Sequence, residues 1–142
     1  MPGKDDITGM NARFSKMKLD NSFIIVKLAR KGIKTSVFYQ FASAAGFSET
    51  QLATIMNVSA RTIKNYEHSG KLLEPVQSEH LLRLISLFLK GEIIFGNVSE
   101  FIYWLNKPLW NNKDKPIDWL TTPGSVDLVH DELERLANAY PV

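Results

Sequence analysis

Cysteine is absent from this chain, which removes disulfide frameworks, thiolate zinc sites and cysteine nucleophiles together. Residues 1–20 contain no apolar core of the kind a secretory signal needs, and the run 23–26 is too short to span a bilayer. The expected compartment is therefore a reducing cytoplasm, with no membrane as a partner. Histidine is nearly absent: His68, His80 and His130 stand singly, without metal-ligand spacing, and each is expected at the surface. No Gly-rich phosphate loop or nucleophile motif occurs, and Asp118, near Thr121 and Thr122, suits a helix cap better than proton abstraction. Catalytic residues, metal ligands and cofactors are not expected, so the reading is of a non-enzyme. Repeats, low-complexity tracts and strand-rich regions are lacking as well, which leaves an all-α chain.

What is present is the balance of an ordinary globular protein, 44% hydrophobic and 23% charged. A chain of 142 residues accommodates one domain, or a small domain with an appended module, but not two enzyme domains. Net charge is only +2, yet residues 1–71 hold eleven Lys or Arg against five Asp or Glu, and residues 72–142 hold six against ten. A basic half can neutralise phosphates, whereas an acidic half suits a different, basic partner; asymmetry of this size is also common on plain surfaces.

Residues 1–18 mix charges and glycines without a sustained period and read as a mobile arm. Phe23, Ile24, Val26, Lys27 and Leu28 wind into a short helix closed by Gly32, or, with their β-branched members, form a strand. Thr35 or Ser36 caps a helix over 37–45, and Ser48 with Gln51 makes a capping box for the next. Asn57, tolerant of left-handed geometry, ends that helix; Ser59 caps a third, stopped by Gly70. Over 77–95 the leucines, isoleucines and Phe88 leave almost no polar side, so this helix must be buried nearly all round. Asn97 or Ser99 starts a short helix ended by Pro108, a polar loop covers 111–115, and 116–120 makes a helical turn. Thr122 caps the last helix with Pro123 at its first position, and its stripe is Val126, Val129, Leu133, Leu136 and Tyr140.

The string over 51–70 has the build of a helix-turn-helix, two short helices and a tight turn that hold the second helix for the major groove. At about 100° per residue Ile63 and Tyr66 face inward while Arg61, Asn65 and His68 lie nearly opposite, flanked by Thr62 and Lys64. Arg61 can bond two acceptors of guanine and Asn65 can pair with adenine; Ser59, Thr62 and Lys64 can hold phosphates. Residues 47–74 balance Arg61, Lys64 and Lys71 against Glu49, Glu67 and Glu74. Affinity would therefore lean on the arm or on a dimer.

Leu52, Ala53, Val58, Ser59, Arg61, Thr62, Ile63, Glu67 and Gly70 resemble the helix-turn-helix of the Xre and phage-repressor class. Many of that class carry Gln where Glu49 stands, and some use the scaffold for packing alone. Downstream, Ser78, Glu79, Arg83 and Leu84, then Ile94-Phe95-Gly96, Trp104-Leu105, and Pro116, Leu120, Thr121 and Gly124 together resemble the Xre/MbcA/ParS toxin-binding antitoxins. That resemblance, over 22–140, implies a type II antitoxin that binds operator DNA and covers the active site of a partner toxin. Such a toxin is often a RES-domain, NAD-consuming enzyme of the ADP-ribosyl-transfer kind. By the same carry-over its contacts would come from Lys107, Trp110, Pro116, Trp119, Leu120, Gly124 and the last helix.

The residues agree in kind. Trp104, Trp110 and Trp119 cluster around one loop, and Trp is favoured at interface anchors, although core packing explains Trp104 better. Asp127, Asp131, Glu132 and Glu134 on the last helix either mimic a ligand's charge toward a basic toxin site, with Asp131 and Glu132 as contacts, or form a solvated acidic face.

The resulting expectation has three parts: a flexible basic arm over 1–21, a helix-turn-helix DNA-binding and dimerisation domain over 22–91, and a toxin-binding domain over 92–142. The partners are a cognate protein toxin, operator DNA and a second copy of the chain. The alternatives are a stand-alone transcription regulator whose C-terminal half dimerises or binds a ligand, and an interaction module that does not bind DNA.

Overall fold

A computed structural model describes residues 9–139. Among them every regular element is helical, as expected of an all-α chain. The elements are α1 (Met10–Phe14), a 3-10 turn (Ser15–Met17), α2 (Ser22–Lys31), α3 (Thr35–Ala45), α4 (Glu49–Ile55) and α5 (Ala60–Ser69). They continue with α6 (Pro75–Phe95), α7 (Val98–Leu105), a second 3-10 turn (Pro116–Trp119) and α8 (Pro123–Ala139).

The spine is α6. Leu81, Leu82, Leu84, Ile85, Leu87 and Phe88 are all fully buried, so α1, α2, α7 and α8 each lay an apolar face against it. Ion pairs from Arg83 to Asp127 and from Lys90 to Glu134 set α8 parallel to α6. Val126, Val129 and Leu133 are buried as their spacing demands; Tyr140, the last member of that stripe, lies outside the described residues.

Several boundaries differ from the sequence expectation for tertiary reasons. The strand alternative at 23–28 is not taken, because Asn21 accepts a hydrogen bond from the Phe23 amide at 2.7 Å and caps a helix. Thr35 is the first residue of α3 rather than its cap. The preceding Ile33 is clamped, its amide donating to Ser78 Oγ at 3.0 Å and its carbonyl accepting from the Leu73 amide at 2.9 Å. With Ile33 held extended, the helix must start directly after Lys34. Upstream of the long helix, Pro75 occupies the first helical position, where its missing N–H costs nothing.

The N-terminal arm needs correction. Residues 1–8 lie outside the described region, but Met10, Phe14 and Leu19 are core residues. The Glu92 carboxylate accepts from the amides of Met10 and Asn11 at 2.7 and 2.9 Å and from the Asn11 side chain at 2.8 Å. A carboxylate at those free N–H groups fastens α1 to the end of α6. Short-range periodicity is silent about such docking, because only three apolar anchors are spread over ten positions.

The boundary drawn at 91/92 falls inside α6, and aromatic packing crosses it. Phe14 meets Phe41, Phe41 meets Phe88, and Phe88 meets Phe101, with ring centroids 6.4, 5.2 and 4.9 Å apart. Phe101 in turn stacks on Trp104 at 6.1 Å. The approach of α7 requires Gly91, since a Cβ there would lie 2.4 Å from the Phe101 ring. N-terminal segment, helix-turn-helix and C-terminal module therefore share one core.

Candidate nucleic-acid interface and partner surface

The geometry of the helix-turn-helix follows from its local sequence. Ser48 and Gln51 close the capping box of α4 through hydrogen bonds of 3.0 and 2.8 Å. Leu52, Ala53 and Met56 are buried, and Ala53 keeps the two helices close. Asn57 makes the turn at φ 58°, the left-handed region an Asn accepts more readily than most residues. The Val58 amide then donates to the Ala53 carbonyl at 3.0 Å. Ser59 caps α5 by accepting from the Thr62 amide at 3.0 Å, and Ile63, fully buried, fixes the helix on the core.

Arg61, Lys64, Asn65 and His68 are all exposed on the outward side of α5. No ion pair ties up Arg61 or Lys64 among the described residues. Ser59 and Thr62 sit differently: their hydroxyls bond each other at 2.7 Å and Thr62 is half-buried, so both belong first to the cap. Such a face can offer a guanidinium and an amide to base edges, and an ammonium to a phosphate. Glu49 is exposed at the start of α4. Burial, then Glu67 and Glu49, push the Tyr39 hydroxyl above its ordinary value. Its oxygen is the one buried side-chain polar atom without a hydrogen-bond partner among the described residues.

In the C-terminal module, the chain doubles back between Trp110 and Asp114, where Asn111 and Asn112 both take positive φ. That reversal sets the Trp110 and Trp119 rings edge to face at 5.6 Å, and Trp119 keeps 36% of its surface exposed. Lys107 is exposed, its ammonium 4.8 Å from the centre of the exposed Tyr103 ring, and Gly124 is exposed too. Pro116 and Leu120, named with these on sequence grounds, are buried in the protein's own core. Being buried, they have no surface to offer a partner.

The acidic face of α8 is largely spoken for. Asp127 pairs with Arg83 at 3.3 Å, Glu134 with Lys90 at 2.9 Å and Glu132 with Arg135 at 3.0 Å, while Asp131 is exposed and makes no ion pair among the described residues. Charges balanced inside the chain make poor mimics of an anionic ligand.

His80 departs from the surface position expected of it. It is buried, its Nε2–H donates to the Leu120 carbonyl at 2.8 Å, and burial lowers its pKa against the opposing effect of that bond. Together with Asn57, whose side-chain amide donates to the Thr121 carbonyl at 2.6 Å, it anchors residues 120–121 to α6 and to the helix-turn-helix. Neither pairing has a sequence signal, since the partners lie 40 and 64 residues apart.

Among the described residues no helix is long and apolar enough to cross a membrane, and no group of three or more His, Asp or Glu is placed to hold a metal ion. Residues 25–86 match the family model described as the antitoxin Xre-like helix-turn-helix domain. The match runs from within α2 into α6 and stops before the C-terminal module. No curated protein matches the chain.

Proposed function

We propose that this protein is the antitoxin of a type II toxin–antitoxin system, binding operator DNA through α5 and a partner toxin through its C-terminal module. The observation that carries the reading is the similarity of residues 25–86 to the antitoxin Xre-like helix-turn-helix domain. It coincides with the segment that exposes Arg61, Lys64, Asn65 and His68 on one helix face. The toxin surface we assign to Lys107, Trp110, Trp119 and Gly124, because a half-exposed aromatic pair on a buried platform is the usual build of an interface anchor. The partner is a RES-type or related NAD-consuming enzyme of the cytoplasm, its active site covered by this module. A homodimer would present two recognition helices to paired operator half-sites.

Co-expression tests the reading. The protein encoded beside this one should arrest growth alone, be rescued by this chain, and co-purify with it. A neighbour that remains toxic and unbound in its presence would overturn the antitoxin assignment. DNA binding with no such partner would instead identify a stand-alone transcription regulator whose C-terminal half dimerises or binds a ligand.

A further inference from the structure

One strongly charged surface is not used by the proposed recognition helix. Lys27, Arg30 and Lys31 lie at spacings of three and one along one side of α2, and Lys34 follows past Gly32 and Ile33 as the extended residue just before α3. All four are exposed, and residues 21–48 contain no acidic side chain. Every ion pair among the described residues is made by other cations, at Lys71, Arg83, Lys90 and Arg135. Within α2, Lys27 and Lys31 stand as like charges at i and i+4, an arrangement that destabilises a helix. Stability of α2 alone therefore does not account for the stripe.

Its place in the fold indicates what does. The stripe ends beside the segment that follows α5: the Leu73 amide donates to the Ile33 carbonyl at 2.9 Å, and Leu72 packs over Gly32. Lys34 thus stands at the corner reached by the chain just after His68, Gly70 and Lys71. The helix-turn-helix itself has no net charge over residues 47–74, and Lys71 is already paired with Glu74 at 2.8 Å. Phosphate neutralisation supplies much of any protein's affinity for a duplex, so a unit of this kind needs cations from elsewhere. The N-terminal segment cannot provide them as a free arm over residues 9–21, because it is docked on α6.

We infer that the stripe of Lys27, Arg30 and Lys31 on α2, with Lys34 just beyond it, is a second DNA contact, gripping the sugar-phosphate backbone beside the groove that α5 enters. The inference rests on the DNA-binding reading above and adds the surface that supplies the electrostatic affinity. Each lost phosphate contact should reduce the slope of log affinity against log salt by about 0.9.

The test compares the full chain with K27Q/R30Q/K31Q/K34Q, binding a duplex taken from just upstream of its own reading frame and a random duplex of equal length. Between 50 and 200 mM salt, loss of three or four contacts should shrink the fall in affinity by a factor on the order of 40 to 150 on both duplexes. Base preference and melting temperature should be unchanged, and K27R/K31R/K34R should keep the wild-type slope. An unchanged slope in the glutamine variant overturns the inference. So does a variant that keeps the slope but no longer captures the co-expressed neighbour, which would make the stripe a protein-binding face. The two readings separate cleanly. Equal binding of both duplexes with a stripe-dependent slope retains the backbone contact and removes base reading by α5, whereas no binding to either duplex removes both.

Discussion

The Asn57 side-chain amide donates to the Thr121 carbonyl at 2.6 Å, joining the turn of the helix-turn-helix to the segment that leads into α8. One residue thus does two jobs, a left-handed backbone at φ 58° and a long-range tie. Substitution can separate them. Asn57→Gly keeps the backbone and loses the tie, and should cost about 1 kcal/mol, the net worth of one hydrogen bond. Asn57→Ala adds the left-handed penalty, roughly 1–2 kcal/mol more. Chemical denaturation of both variants measures the difference, and equal costs would refute the separation.

His80 makes stability depend on pH. Its folded pKa lies below the ordinary 6.5, chiefly because burial disfavours the cation. The unfolded chain therefore binds the proton first as pH falls. The stabilising contribution is complete above about pH 6.5 and is lost progressively below it, at a rate of up to about 1.4 kcal/mol per pH unit. Urea midpoints from pH 5 to 8 should show this slope in the wild type and a flatter profile in His80→Gln.

Gly91 is set by the Phe101 ring, which a Cβ would meet at 2.4 Å. Gly91→Ala should cost about 1–3 kcal/mol through overpacking even though Ala is the better helix former. Trimming the ring in Gly91→Ala/Phe101→Leu should recover part of that loss in the midpoint of thermal unfolding.

Trp119 and Leu120 are neighbours with opposite expected phenotypes. Trp119, 36% exposed, should tolerate Ala with little change in melting temperature yet weaken capture of the partner protein at least tenfold, about 1.4 kcal/mol. Leu120 is fully buried, so Leu120→Ala should cost roughly 2–5 kcal/mol of stability. Calorimetry and pull-down on the pair distinguish anchor from support.

On α5, Arg61→Ala should relax base preference by roughly 1–3 kcal/mol at one operator position. Lys64→Ala should weaken binding evenly across sequences and flatten its salt dependence. Quantitative binding to operator variants checks both, and unchanged binding in the two would remove α5 as the reader.

Much of this protein was legible from local order along the chain. Ser48 with Gln51, Asn57, Ser59 and Gly70 mark the helix-turn-helix because each acts on backbone groups within a few positions of itself. The apolar length of α6 announced a buried spine for the same reason. The cations Lys27, Arg30, Lys31 and Lys34 stand close together in the chain too, but nothing local singles them out as a set. What they lacked was a location relative to α5, and the Ile33–Leu73 hydrogen bond supplies one.

By itself, then, the sequence determined an all-helical chain, a helix-turn-helix over residues 51–70 and the outward set Arg61, Asn65 and His68. Caps, left-handed turns and helical periodicity are short-range physics, and the side chains that express them are neighbours in the chain. Only the tertiary structure decided that residues 9–21 dock through Glu92, that His80 turns inward to Leu120, and that Leu120 and Pro116 are buried. Those outcomes depend on which distant groups meet once α6 is enclosed. A carboxylate, an imidazole or a leucine carries no mark of its partner until packing brings the two together.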